Sequence, residues 1–130
     1  MAKITNTYCD LDINFDRNPM SGDVAVRRDE ESIKRALRNL ILFRRNEKPF
    51  HPEIYSGVTD MLFELTDPVS ILELKTRIAE IIRNYEPRVQ DAIVDVKNNI
   101  DRNEVQVTIH FTLRNVQKVY STTMVLERLR

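Results

Sequence analysis

Glycine is nearly missing from this chain, with two in 130 residues. A phosphate-cradling loop needs glycines for close backbone approach, so the shortage argues against one. Cysteine occurs once, as Cys9, which rules out an intrachain disulfide and fits a reducing compartment. There is no CxxC pair and no cluster of histidines, so zinc is disfavoured. No apolar run approaches the ~20 residues that would span a bilayer. The opening Met1-Ala2-Lys3-Ile4-Thr5-Asn6 lacks the apolar core of a signal peptide, so use without Sec-type export is expected. Charge of one sign is missing too: 20 Lys and Arg balance 20 Asp and Glu. That balance argues against bulk capture of nucleic acid or an anionic membrane, and leaves little repulsion against self-association.

What is present suits one α+β domain over residues 1–130: an arm over 1–28, a helical part over 29–86 and an antiparallel sheet over 87–130. The arm is rich in Asp, Asn, Pro and Gly, with Tyr8, Leu11, Ile13 and Phe15 as isolated apolar anchors. Asp10 and Asp12 alternate as in a calcium loop, but no Glu closes the series, so a metal site is not expected. From Glu30 to Phe43, Ile33, Ala36, Leu37, Leu40 and Ile41 recur at helical spacing, with Asp29 placed to cap the start. Arg35, Arg38, Arg44 and Arg45 read as a solvated face that also complements the helix dipole.

Pro49 and Pro52 forbid a helix in the next stretch, where Phe50, Ile54 and Tyr55 are expected to pin the loop to the core. His51 reads as a surface or loop-fixing residue. A short helix is expected from Thr59 to Leu65, ended by Thr66-Asp67-Pro68. The third helix starts near Asp67 to Ser70, capped either by a Ser70–Glu73 box or by Asp67 with Pro68 at the first position. Its apolar face is Ile71, Leu74, Ile78, Ile81, Ile82 and Tyr85. Pro87 stops it near Tyr85 or Glu86 and holds Glu86 and Arg88 close together on a rigid corner.

Three strands follow. Ala92 to Lys97 is short, Glu104 to Arg114 alternates cleanly between apolar and polar, and Lys118 to Leu129 places Tyr120, Met124 and Leu126 inward. Asn115-Val116-Gln117 joins the last two in a meander whose first and third strands are edges. An edge invites strand addition from another chain, unless Lys118, Arg128 and Arg130 blunt it. No nucleophile elbow is present, and nothing in the spacing of Glu53, Glu64 and Glu86 selects the carboxylate pair of a glycosidase.

Four stretches in order carry a family resemblance: Ser32-Ile33-Lys34-Arg35-Ala36-Leu37-Arg38-Asn39-Leu40, Lys48-Pro49-Phe50-His51-Pro52-Glu53, Leu62-Phe63-Glu64 and Ile82-Arg83-Asn84-Tyr85-Glu86-Pro87-Arg88. Tyr8-Cys9-Asp10-Leu11-Asp12 and Ser21-Gly22-Asp23-Val24 fit the same opening. The chain resembles the small baseplate wedge proteins, or sheath initiators, of contractile phage tails, which have counterparts in type VI secretion baseplates. It departs at Arg44-Arg45-Asn46, where the family usually has a glycine, so a turn built on Asn46 is expected. It departs again at Ile54-Tyr55-Ser56-Gly57, where the family tends to a Phe-Gly pair.

The resemblance implies a structural protein of the virion's tail baseplate, assembled in the host cytoplasm. It implies no enzymatic activity, cofactor, metal, nucleic acid, membrane or small-molecule substrate. Its partners would be other baseplate wedge proteins and the tail sheath protein. The Glu86, Pro87 and Arg88 motif, with Tyr85, would dock onto wedge components. The sheet edge carrying Lys118, Tyr120, Thr122, Met124 and Leu126 would accept sheath strands. The competing readings are a lysozyme-like enzyme that cleaves peptidoglycan and a small cytosolic adaptor of the same fold.

Overall fold

A computed structural model describes residues 8–64, 67–114 and 116–127. The expectations for Met1–Asn6, Leu65, Thr66, Asn115, Arg128, Leu129 and Arg130 lie outside the described residues. The chain divides into two compact units, Met1–Ala36 and Leu37–Arg130.

In the first unit the arm is more regular than its composition suggests. Strands β1 (Cys9–Leu11) and β2 (Val26–Arg28) pair antiparallel, and an isolated bridge joins Arg17 to Val24. Of the four apolar anchors expected there, Leu11, Ile13 and Phe15 are exposed and Tyr8 alone is half-buried. A carboxylate fixes the arm instead. Asp12 is buried, and it accepts hydrogen bonds from the Asn14 N–H at 3.1 Å and Arg27 Nε at 2.7 Å, with Arg35 Nη1 at 3.5 Å. The Asn14 bond, followed by the two guanidiniums, holds its carboxyl below the usual carboxylate range against the opposing effect of burial. Ser32 Oγ donates to Asp10. The acidic pair that resembled a calcium loop is therefore spent on arginines and a serine.

Helix α1 (Asp29–Leu42) matches the expected span to within a residue, and Ile33, Leu37, Leu40 and Ile41 are buried along one stripe. Asp29 takes a positive φ of 45°, and its Oδ1 accepts the Tyr8 N–H at 3.1 Å.

In the second unit Asn46 adopts φ 63°, the left-handed turn expected where the family favours glycine. Ile54 is buried beside Leu40 and Ile81, with Phe43 against them. Tyr55 is half-buried. Phe50 does not join them: it is 97% exposed with φ 65°. The loop's left-handed turn at Phe50 leaves this ring outward. Helix α2 (Val58–Met61) is one turn long and buries Val58 and Met61. Helix α3 (Pro68–Tyr85) takes the second of the two caps expected for it, with Asp67 at the N-cap and Pro68 in the first turn. The Asp67 carboxylate accepts the Ser70 hydroxyl at 2.5 Å.

The sheet has the order β3 (Val89–Asn99), β4 (Glu104–Leu113), β5 (Val119–Glu127), all antiparallel. The first strand is longer than Ala92 to Lys97 because its ends also pair, from Val89 with Leu113 to Asn99 with Glu104, with a bulge at Gln90. The alternation of the central strand is realised: Val105, Val107, Ile109, Phe111 and Leu113 are buried, while Gln106 and His110 are exposed. Leu74, Ile78, Ile81 and Ile82 of α3 supply the buried helical stripe of this unit. Among the described residues the chain is thus α+β, with three helices, a two-stranded pair in the arm and a three-stranded antiparallel meander at the C-terminal end.

Candidate functional site: a braced corner and an open strand

Two features expected from the sequence lie in the second unit. The first is the corner after α3. Pro87 ends the helix as its missing N–H and its restriction of Glu86 demand, and Glu86 adopts φ −122° and ψ 82°. The Glu86 side chain is 7% exposed, so it is neither solvated nor reaching outward. Its Oε1 accepts Arg88 Nε at 2.7 Å and its Oε2 accepts Arg88 Nη2 at 2.9 Å. Such a fork-to-fork pair fixes the guanidinium plane as well as its position. The Arg88 carbonyl accepts the Arg114 N–H at 3.1 Å, tying the corner to the end of β4. Pro87 is exposed, and Tyr85, expected on the apolar face, is 38% exposed. Pro87, Arg83, Arg114, Asp91 and the exposed Ile93 border a shallow groove of about 460 Å³.

The second feature is strand β5. It pairs with β4 along Val119–Glu127, and no described strand pairs with its other side. Its side chains alternate. Tyr120 stacks on Phe111 at 5.8 Å, and Met124 and Leu126 are buried. Thr122 shares their parity and is half-buried, so this row faces inward. Lys118 precedes the strand, with its Nζ 5.1 Å from the Tyr120 ring centroid. The outward row is Val119, Ser121, Thr123 and Val125, all exposed, with Thr123 and Thr108 hydroxyls 3.2 Å apart. The residues named from sequence are therefore the ones that hold the strand down. What β5 presents is its main chain and the opposite row.

The two sheet edges are not equivalent. β3 carries a bulge at Gln90, charges at Asp91, Asp95 and Lys97, and a Lys75–Asp95 ion pair of 3.3 Å that ties α3 to it. β5 has no bulge or proline and its only charge is Glu127 at the end. Natural proteins protect edges with the first set of devices, and β5 has none of them along Val119–Leu126.

A third cluster escaped the sequence reading. Arg45 and Arg77 both lie over the Tyr55 ring, at 5.1 and 5.3 Å from its centroid, and Arg45 Nη2 donates to the Tyr55 hydroxyl at 3.2 Å. Those contacts, the Arg45 hydrogen bond first, hold the phenol below the usual tyrosine range. Gly57, at φ 68°, passes beneath Arg77, whose Cζ is 3.1 Å from where a Cβ would sit. The loop between α1 and α2 contributes Arg45 and Tyr55, ten residues apart, and α3 contributes Arg77, 22 residues further on. No local spacing could signal such a set.

Comparison with known proteins agrees with this architecture. Residues 27–118 match the family model described as baseplate wedge protein gp25. The baseplate wedge protein gp25 of Enterobacteria phage T4 is 33% identical over 113 residues, covering 87% of this chain and 85% of that one. A Geobacter sulfurreducens protein provisionally described as a tail lysozyme shares the fold at a TM-score of 0.65 and 16% identity, over 78% of this chain and 92% of that one. A chain of the anti-feeding prophage baseplate, seen by cryo-electron microscopy, shares it at 0.58 and 18% identity, over 95% and 87%. With the family model spanning the helices, the corner and the first two strands of the meander, and a relative at this identity over most of both lengths, the chain belongs to the gp25 family of baseplate wedge proteins.

Proposed function

We propose that this protein is a non-catalytic structural component of the baseplate of a contractile tail. In this role it docks onto neighbouring wedge proteins through its corner and starts sheath assembly through β5. The observation that carries the proposal is the unprotected outer side of β5. A strand from a sheath subunit would add there, main-chain hydrogen bonds giving affinity and the Ser121, Thr123 and Val125 row giving register. At the corner, Glu86 works as an internal brace. It aims Arg88 and leaves Pro87 and Tyr85 as the contact surface, beside the groove that Ile93 borders. A prepositioned guanidinium loses less freedom on binding, which favours a tight wedge contact.

Co-expression with a cognate sheath protein tests the reading. The protein should co-purify with sheath and seed sheath-like tubes visible by electron microscopy. Sheath that assembles equally well without it removes the initiating role. The fold likeness to a protein called a tail lysozyme favours a second reading, tested by digestion of purified cell wall. Under the structural reading peptidoglycan stays intact, since both Glu86 oxygens are engaged by Arg88. Turnover abolished by a single glutamate change would reverse the assignment.

A further inference from the structure

At the C-terminal end of β5 lies a depression of about 570 Å³. Val125 and Leu126 both line it, although neighbouring residues of a strand point to opposite faces of the sheet. No residue of β4 lines it, so it lies past the unpaired side of β5. Its other wall comes from Leu42 at the end of α1 and from Leu62 and Phe63 in the turn after α2. Leu62 and Leu126 are buried, while Phe63 is 63% exposed and Val125 is 55% exposed. The charged residues around it, Arg44, Asp60 and Glu127, are of both signs and select no ionic occupant. Selection there falls to shape and apolar contact.

We infer that this depression is a specificity pocket for the strand that adds to β5, and that it takes one large apolar side chain of that strand. The inference rests on the strand addition proposed above and names what the incoming segment must carry. An added strand lies about 4.8 Å beyond β5, which brings it over the depression. Its residue paired with Leu126 points to the same face as Leu126, the face that Leu62 and Phe63 close from below. Main-chain hydrogen bonds are the same for any sequence, and the outward row of β5 matches faces without marking one position along the strand. A pocket at one end does mark a position. A slip of one residue would turn the apolar side chain to the other face, and a charged side chain there would lose its water against Leu62 and Phe63.

The test is co-expression with the cognate sheath protein, read as sheath retained per molecule of this protein, with variants of Phe63. Phe63→Asp should cut retention at least about tenfold, as expected for losing the burial of one large apolar side chain. Phe63→Leu should keep most of it. Phe63 is exposed, so both variants keep the parent's thermal midpoint. Ile100→Asp, a change at another exposed apolar residue in the turn between β3 and β4, should retain sheath as the parent does. With p-benzoylphenylalanine in place of Phe63, light should join the protein to an apolar residue in an extended segment of the sheath protein. A parent protein that retains no sheath removes strand addition and the pocket with it. Retention by the parent that Phe63→Asp leaves intact overturns the pocket alone. So does an equal loss in Phe63→Leu or Ile100→Asp, or a crosslink to a charged residue or to a second copy of this chain.

Discussion

Individual residues here carry three separable kinds of constraint. Glu86 is a buried charge satisfied by one partner, so Glu86→Ala leaves the Arg88 guanidinium without its brace and should cost about 1–3 kcal/mol in urea denaturation. The same variant should fold yet enter baseplates poorly, read by co-purification with wedge proteins; normal incorporation would argue against a docking corner. Gly57 is held by conformation and by space. Gly57→Ala forces a Cβ into a left-handed backbone position and against Arg77, for a loss of about 1–3 kcal/mol in thermal denaturation. Phe50 is the reverse case. Its positive φ is stabilised by no burial, so Phe50→Gly should leave stability unchanged or raise it by up to about 1 kcal/mol. A marked loss would reveal contacts that its exposure denies.

Among the elements, α3 and β4 were readable because their periodicities are long and clean. Ile78 and Val107 are buried for the reason their spacing gives. Leu74→Ala, in the same stripe, should cost about 2–5 kcal/mol in denaturant, since Leu74 is fully buried. The arm was less legible. Its hairpin is three residues on each side, too short for an alternation to register, and it is held by Asp12 rather than by apolar side chains. β5 offers the sharpest test at this scale. In an antiparallel edge strand neighbouring residues alternate between bonding inward and facing outward. Ser121→Pro and Thr122→Pro should therefore differ: the one that removes an N–H bonded to β4 destabilises the sheet, and the other leaves the monomer folded but abolishes sheath capture. Capture by both folded variants would count against strand addition.

At the scale of the whole molecule, acid should loosen the N-terminal unit first. Asp12 has its folded pKa depressed, so its contribution is present above the ordinary carboxylate value of about 4 and is lost as pH falls through the lower folded value. The Asn14 amide signal, whose N–H bonds to Asp12, should titrate in that acid window and stay flat in Asp12→Asn. If the wild-type signal does not move below pH 4, Asp12 does not gate the arm.

The sequence by itself determined the helices, the alternating central strand, the proline-stopped corner and the family, because each is written in short-range spacing: 3.6 for a helix, two for a strand, a missing N–H at proline. It also placed Glu86 beside Arg88, since two residues around a rigid turn have few other choices. Only the tertiary structure decided that Glu86 faces inward, that Phe50 faces outward, that β5 rather than β3 is the unprotected edge, and that Arg45, Tyr55 and Arg77 meet. Those outcomes depend on which distant segments pack together, and the free energy that selects such packing resides in burial and charge pairing across the chain, not in any window of neighbouring residues.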